Sequence, residues 1–314
     1  MYLGIEIGGT KLQLGAGDGS GAVLDVLRRF EVDPSKGAQG ILAEIARTGR
    51  ELIAACGVTR IGAGFGGPVD CENQKVVRSF HIQGWDGFPL GSWLEEQFGL
   101  PAAIANDADA AGLAEARIGA GAGCRVVFYI TVGTGVGGSL IVDGRVHGTG
   151  IASEIGHLRP GLSAEDPEQT VESFASGWGI ARFVRERLEV CREAPDGACA
   201  ELLELCGGDP FTLDTRRIAE AARGGNPVAL EGLKRCWRTL GWAVAQVITL
   251  TAPEIVVIGG GVSLIGEKLF FAPLREEVER YVYPPLRNRY AIKPAALGEE
   301  VVVHGAIAVA REAR

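Results

Sequence analysis

The chain has 314 residues, 46% hydrophobic and 22% charged, the composition of an ordinary globular protein. That length is near the limit of a single core and predicts two domains. A formal net charge of −8 argues against a broad nucleic-acid surface, yet it leaves room for phosphates bound by backbone amides and helix N-termini.

The opening GIEIGGTKLQLGAGDG predicts short apolar strands over 3–7 and 12–16, separated by a glycine turn. Asp18-Gly19 is expected to supply the positive φ angles of a tight hairpin into a third strand. The strand pattern begins at Tyr2, so no signal peptide is expected, and no apolar run reaches the length of a membrane span. Ile41, Leu42, Ile45, Leu52 and Ile53 stand at helical spacing and predict an amphipathic helix over about 38–56. A strand into a glycine turn (IGAGFGGP, 61–68), a helix near 90–98 and a strand AAIAN (102–106) follow. The next helix begins at about 108, with its N-terminus at the Asn106-Asp107 step.

Near residue 126 the plan repeats. VVFYITVGTGVGGSLIVDGRVHGTG is again strand, glycine turn, strand, Asp-Gly turn (Asp143-Gly144), strand, which predicts an internally duplicated fold. The chain then reads as mainly helical to about 250. A strand EIVVIGGGVS (254–263), a helix near 267–281, a strand at 290–295 and a last helix from about 304 complete it. APDGACAELLELCGGD (194–209) reads as a peripheral insertion. Seven scattered cysteines with no CxxC spacing predict reduced, mostly buried thiols and a cytoplasmic protein.

Three glycine turns follow apolar strands: IGGT (7–10), VGTGVGG (132–138) and IGGGVS (258–263). Glycine there lets backbone amides approach a phosphate. The second turn matches G-x-G-x-x-G, but it leads into a strand rather than the helix a dinucleotide fingerprint requires. Singly, each turn is more simply a tight hairpin; three together favour nucleotide phosphates. Asn106-Asp107 ends a strand at the edge where α/β proteins bind ligands. Asp107 could accept a hydroxyl proton that Asn106 orients, although helix capping by Asp107 is the simpler reading of the pattern. Glu154 and His157 share a face if their segment is helical, and Glu172 follows after an acidic loop. In isolation this pair reads as a surface Glu and a satisfied His. His81, His147 and His304 stand alone and receive no role.

Together GIEIGGTK, GFGGPVD (64–70), ANDADAA (105–111), TVGTGVGGSLIVDG (131–144), EIGH (154–157), ESFASGWGI (172–180) and IGGGVS resemble the ROK family of repressors and sugar kinases, from Met1 nearly to GAIAVA (305–310). The resemblance implies an α/β, actin/hexokinase-like ATPase fold with two α/β domains flanking a cleft. Its domains would be 1–118 with 300–314, and 119–299. ATP phosphates would lie on Gly8, Gly9, Thr10 and Lys11 and on Gly133, Thr134 and Gly135, with adenosine against Gly259, Gly260 and Gly261. Asp107 would be the general base, and Gly67, Asn106, Glu154, His157 and Glu172 would bind the sugar. Glu6 stands where Asp is common in the family and would contact Mg²⁺ indirectly.

The family's structural zinc is expected to be absent, because LRPGLSAEDPEQTV holds no cysteine where many members carry three. The expected activity is ATP-dependent phosphorylation of a hexose, with fructose, mannose, allose and N-acetylated amino sugars as alternatives to glucose. A silent sugar or nucleotide sensor is the second reading. A DNA-binding regulator is disfavoured by the charge and by a start directly at the first strand. The family also implies a homodimer.

Overall fold

A computed structural model of the protein describes residues 1–79, 82–148, 153–161, 166–191 and 197–312. His81 and part of the loop after His157 lie outside them. The chain divides into two units, one of Met1–Tyr129, Ser139–Ser153 and Ala295–Arg314, the other of Ile130–Gly138 and Glu154–Pro294.

In chain order the elements are β1 (Tyr2–Ile7), β2 (Lys11–Gly17), β3 (Val26–Glu31), α1 (Gly37–Cys56), β4 (Arg60–Phe65), β5 (Val69–Asp70), β6 (Lys75–Val76) and α2 (Leu90–Phe98). Next come β7 (Ala102–Asn106), α3 (Asp107–Ile118), β8 (Val126–Val132), β9 (Val136–Val142) and β10 (Arg145–Val146). The helices α4 (Val171–Ala175), α5 (Gly177–Val190), α6 (Gly197–Leu205), α7 (Thr215–Arg223) and α8 (Pro227–Thr251) follow. β11 (Ile255–Gly259), α9 (Ala272–Tyr281), β12 (Ala291–Pro294) and α10 (Val301–Glu312) close the chain.

Two five-stranded sheets repeat one order, β3-β2-β1-β4-β7 and β10-β9-β8-β11-β12, so the duplication expected from the sequence is present. In the first, β1–β2–β3 form an antiparallel meander, and β4 and β7 run parallel to β1. Leu3, Ile5 and Ile7 are buried together on one face of β1, and Gly4 faces α10 on the other. The helix lies almost on the sheet. A Cβ on Gly62 would stand 1.8 Å from the Ala306 carbonyl oxygen, and one on Gly305 would stand 1.9 Å from that of Ala110 in α3. Only glycine permits this approach, and it seats α3 firmly against α10.

Three expectations need correction. Asp18-Gly19 does not make a tight hairpin: β2 and β3 are joined by residues 18–25. The Asp18 carboxylate instead accepts the Ser20 amide (2.8 Å) and hydroxyl (2.7 Å), an Asx turn that carries the chain onward. Asp143 (φ 48°) and Gly144 (φ 73°) do form the two-residue turn. The described part of 194–209 is packed rather than peripheral, since Cys199, Leu202 and Cys206 are buried. All seven cysteines are free, but only Cys199, Cys206 and Cys236 are buried, and Cys71 is exposed. Among the described residues no helix is long and apolar enough to cross a membrane.

Candidate functional site

In the first unit the turn between β1 and β2 closes through the Gly8 amide, which donates to the Lys11 carbonyl at 2.9 Å. The Gly66 amide donates to the Ile7 carbonyl at 2.8 Å, so the glycine turn after β4 lies beside the first. Gly67 is joined to the next strand end, because Asn106 Nδ2 donates to its carbonyl at 3.0 Å. Asn106 is the N-cap of α3: its Oδ1 accepts the Ala108 (2.8 Å) and Asp109 (3.3 Å) amides, and Asp107 Oδ1 also accepts the Ala108 amide (2.8 Å). The extended backbone of Asn106 suits an N-cap, whereas Asp107 is already helical. Asp107 is half-buried, and its Oδ2 stands 3.5 Å from where a Cβ on Gly66 would be. Thus Gly8, Gly9, Gly66, Gly67, Asn106 and Asp107 share one sheet edge, and Thr10 is exposed there.

Glu6 and Lys11 form an ion pair at 3.1 Å. Gln13 Nε2 donates to the other Glu6 oxygen and, at 2.9 Å, to the Glu299 carbonyl, which also accepts from Lys11 Nζ at 3.3 Å. Burial pushes the Glu6 carboxyl above its ordinary range, and Lys11 and Gln13 pull it back. Both carboxylate oxygens are therefore engaged by side chains. Among the described residues no group of three or more His, Cys, Asp or Glu converges to hold a metal ion.

In the second unit the turn between β8 and β9 closes through the Gly133 amide, which donates to the Gly135 carbonyl at 2.9 Å. Thr134 is exposed at its tip. Glu172, in the first turn of α4, reaches this turn: its Oε2 accepts the Val136 amide at 2.8 Å and lies 2.6 Å from where a Cβ on Gly135 would stand. Glu154 precedes and His157 ends a single 3-10 turn, Ile155–His157, whose Gly156 fits flush on Val136. Glu154 is half-buried and His157 exposed. Burial raises the Glu154 carboxyl above its ordinary range, with His157 drawing it down and Glu172 pushing it up. Glu172 is bonded at Val136, and Glu154 interacts electrostatically with both His157 and Glu172, so the three predicted side chains are neighbours.

Gly260, at φ 84°, passes so close to β8 that a Cβ would stand 2.5 Å from the Val132 carbonyl oxygen. Beside it Gly261 lines a cavity of about 460 Å³ with Thr215, Arg216, Glu220, Arg223 and Leu264. Hydrogen bonds join this cavity to the second turn: Thr215 Oγ1 donates to the Gly177 carbonyl (2.8 Å), and the Gly177 amide donates to that of Gly133 (2.8 Å). Sequence reasoning missed the α7 residues. Their signal was the basic pair Arg216 and Arg223, one heptad apart on an amphipathic helix that buries Ile218, Ala219, Ala221 and Ala222.

A meander followed by parallel strands, built twice and opened each time by a glycine turn, defines a protein of the actin-like, hexokinase-type ATPase fold. The profile of the ROK family matches residues 2–313, and the chain belongs to that family. It is 32% identical over 325 residues to the glucokinase of Streptomyces coelicolor, covering 99% of this chain and 98% of that one. To the glucokinase of Thermotoga maritima it is 31% identical over 318 residues, with 99% and 97% covered. Among solved structures, the ROK family glucokinase from Streptomyces griseus in complex with glucose and AMPPNP is 30% identical, superposes with a TM-score of 0.84 and is covered over 99% of both chains.

Proposed function

We propose that this protein is an ATP-dependent sugar kinase that transfers the γ-phosphoryl group of Mg·ATP to a hexose hydroxyl, with glucose the first substrate to test. The full-length similarity to glucokinases supports the reaction class. The observation that carries the residue assignment is the division of roles at Asn106-Asp107. Asn106 is the N-cap of α3, and although Asp107 Oδ1 also accepts the Ala108 amide (2.8 Å), its Oδ2 faces the Gly66–Gly67 turn, where a base is wanted.

In this reading Asp107 accepts the proton of the attacking hydroxyl as its oxygen bonds to the γ-phosphorus and the bond to the ADP oxygen breaks. Gly67 and Asn106 orient that hydroxyl. Glu154, His157 and Glu172 read the remaining hydroxyls through charge-assisted hydrogen bonds. Gly8, Gly9, Thr10, Gly133, Thr134 and Gly135 offer backbone and hydroxyl donors to the phosphates, and Lys11, held by Glu6, adds positive charge. Gly259, Gly260 and Gly261, with the α7 cavity, accept the nucleoside. Mg²⁺ enters with ATP as part of the substrate, and Glu6 acts through Lys11. Residues 1–118 with 300–314 carry the base, and 119–299 carry the hydroxyl readers. Zinc has no place in this reading, since no cysteine lies between Cys124 and Cys191.

The test is ADP release with Mg²⁺ and a panel of glucose, fructose, mannose, allose and N-acetylated amino sugars. Stimulation by at least one sugar is expected. ATP turnover indifferent to every sugar would leave the sensor reading in its place, and stoichiometric zinc in the same sample would overturn the assignment of the loop.

A further inference from the structure

The two glycines of the second turn have different neighbours. A Cβ on Gly133 would meet nothing within 4 Å, whereas one on Gly135 would lie 2.6 Å from Glu172 Oε2. Gly135 therefore makes room for a carboxylate that belongs to the protein. That carboxylate takes the Val136 amide at 2.8 Å, at the point where the turn enters β9. A carboxylate on a backbone N–H occupies the kind of donor, and supplies the kind of charge, that a phosphate oxygen would bring.

Among the described residues Glu172 has no ion-pair partner, unlike Glu6 at the first turn. Its charge stands beside a turn read as a phosphate site, and a nucleotide phosphate brought to that turn meets the repulsion of a fixed anion. The same carboxylate lies within electrostatic reach of Glu154, whose partner in the 3-10 turn is His157. One side chain thus sits on the phosphate turn and exerts its charge on a polar group assigned to the sugar.

Resting on the kinase reading above, we propose that Glu172 couples the two substrates: without sugar its carboxylate holds the second phosphate turn against nucleotide, and a sugar hydroxyl that engages the carboxylate relieves that hold. Sugar then favours nucleotide binding, and by thermodynamic reciprocity nucleotide favours sugar to the same degree. ATP is kept from the turn until an acceptor is present, which limits its loss to water. The device is electrostatic and needs only a small redirection of the carboxylate.

The experiment is calorimetric titration of Mg·AMPPNP into the wild type, Glu172→Gln and Glu172→Ala, each without sugar and with saturating glucose, after melting curves establish that the variants are folded. In the wild type glucose is expected to tighten AMPPNP binding by roughly fivefold or more, a modest allosteric coupling. Both variants are expected to bind AMPPNP more tightly than the wild type without sugar, and to lose most of the glucose effect. A gain in affinity is not what a damaged turn produces, so it separates coupling from a structural role. Sugar-free affinity equal to or weaker than wild type in both variants overturns the proposal, as does an undiminished glucose effect. The sugar-free comparison does not depend on which hexose is the substrate, so its failure is distinct from a sugar panel that stimulates no turnover.

Discussion

The two glycine hairpins are built to one plan and manage their carboxylates differently. At the first, Glu6 is ion-paired with Lys11 and hydrogen-bonded by Gln13, and both partners are tied to the Glu299 carbonyl. At the second, Glu172 rests on the Val136 amide, with Gly135 cut back to admit it. The first hairpin thus settles its charge within the protein, and the second leaves its charge to be settled by what binds. Duplication supplied the same backbone twice; the residues around each turn gave one copy fixed electrostatics and the other a responsive anion.

The largest expected effect sharpens this contrast by removing the reaction from the first half alone. Asp107→Asn should lower kcat by about 10²–10⁴-fold, the usual contribution of a positioned general base. The melting temperature should change little, because Asn106 holds the cap and the substituted amide keeps an oxygen for the Ala108 N–H. AMPPNP binding and its response to sugar should persist, since the coupling is assigned to Glu172. Steady-state kinetics beside a melting curve checks this, and turnover near wild type would remove Asp107 from the role of base.

A second substitution asks whether any carboxylate on backbone amides behaves as Glu172 does. Glu115 is fully buried in α3. Its Oε1 accepts the Ala296 and Leu297 amides at 2.8 Å each, and its Oε2 accepts the Ala120 amide at 2.7 Å. Glu115→Ala strands these donors at roughly 1–3 kcal/mol apiece, so a loss of about 3 kcal/mol or more is expected in urea denaturation. Glu115→Gln should lose less, because one oxygen remains for Ala296 and Leu297. Neither variant should bind AMPPNP more tightly without sugar. A gain there would mean that the effect sought at Glu172 is a general consequence of loosening the protein.

The contrast between these carboxylates shows what the sequence could and could not disclose. Strands, glycine turns and the start of α3 were legible because each is set by neighbours in the chain: apolar runs, residues that accept positive φ, an Asn-Asp step before small helix formers. The repeated meander was legible for the same reason. Asp18-Gly19 and Asp143-Gly144 read alike, and only the Ser20 bonds of the first show why it does not turn tightly. Glu115 looks like an ordinary helical glutamate, since the amides it holds come from 296–297, about 180 residues away. A usable signal did exist: ADAAGLAEA is small or apolar on every side, a buried helix in which two acids require partners. Asp109 has one in Ser139, whose hydroxyl donates to it at 2.6 Å. The α7 cavity left a fainter trace, the basic pair Arg216 and Arg223.

The smallest effect probes the first hairpin's fixed charge. Burial holds the folded Glu6 carboxyl above its ordinary value of 4.5, and Lys11 is the largest influence opposing that rise. Lys11→Met removes the cation while keeping most of the side-chain length, so the folded value should climb further. Between the ordinary value and the raised one the folded state holds more protons than the unfolded state, so stability falls as pH rises through that window. The contribution is fully present below the ordinary value and is lost as pH passes the folded one. Lys11→Met should therefore destabilise the protein more at pH 7 than at pH 4.5, by a difference of about 1 kcal/mol, which is roughly what one pKa unit carries. Urea denaturation of both proteins at the two pH values measures it. An equal penalty at both would mean that Lys11 does not hold the Glu6 charge, and the two hairpins would then differ less than their geometry indicates.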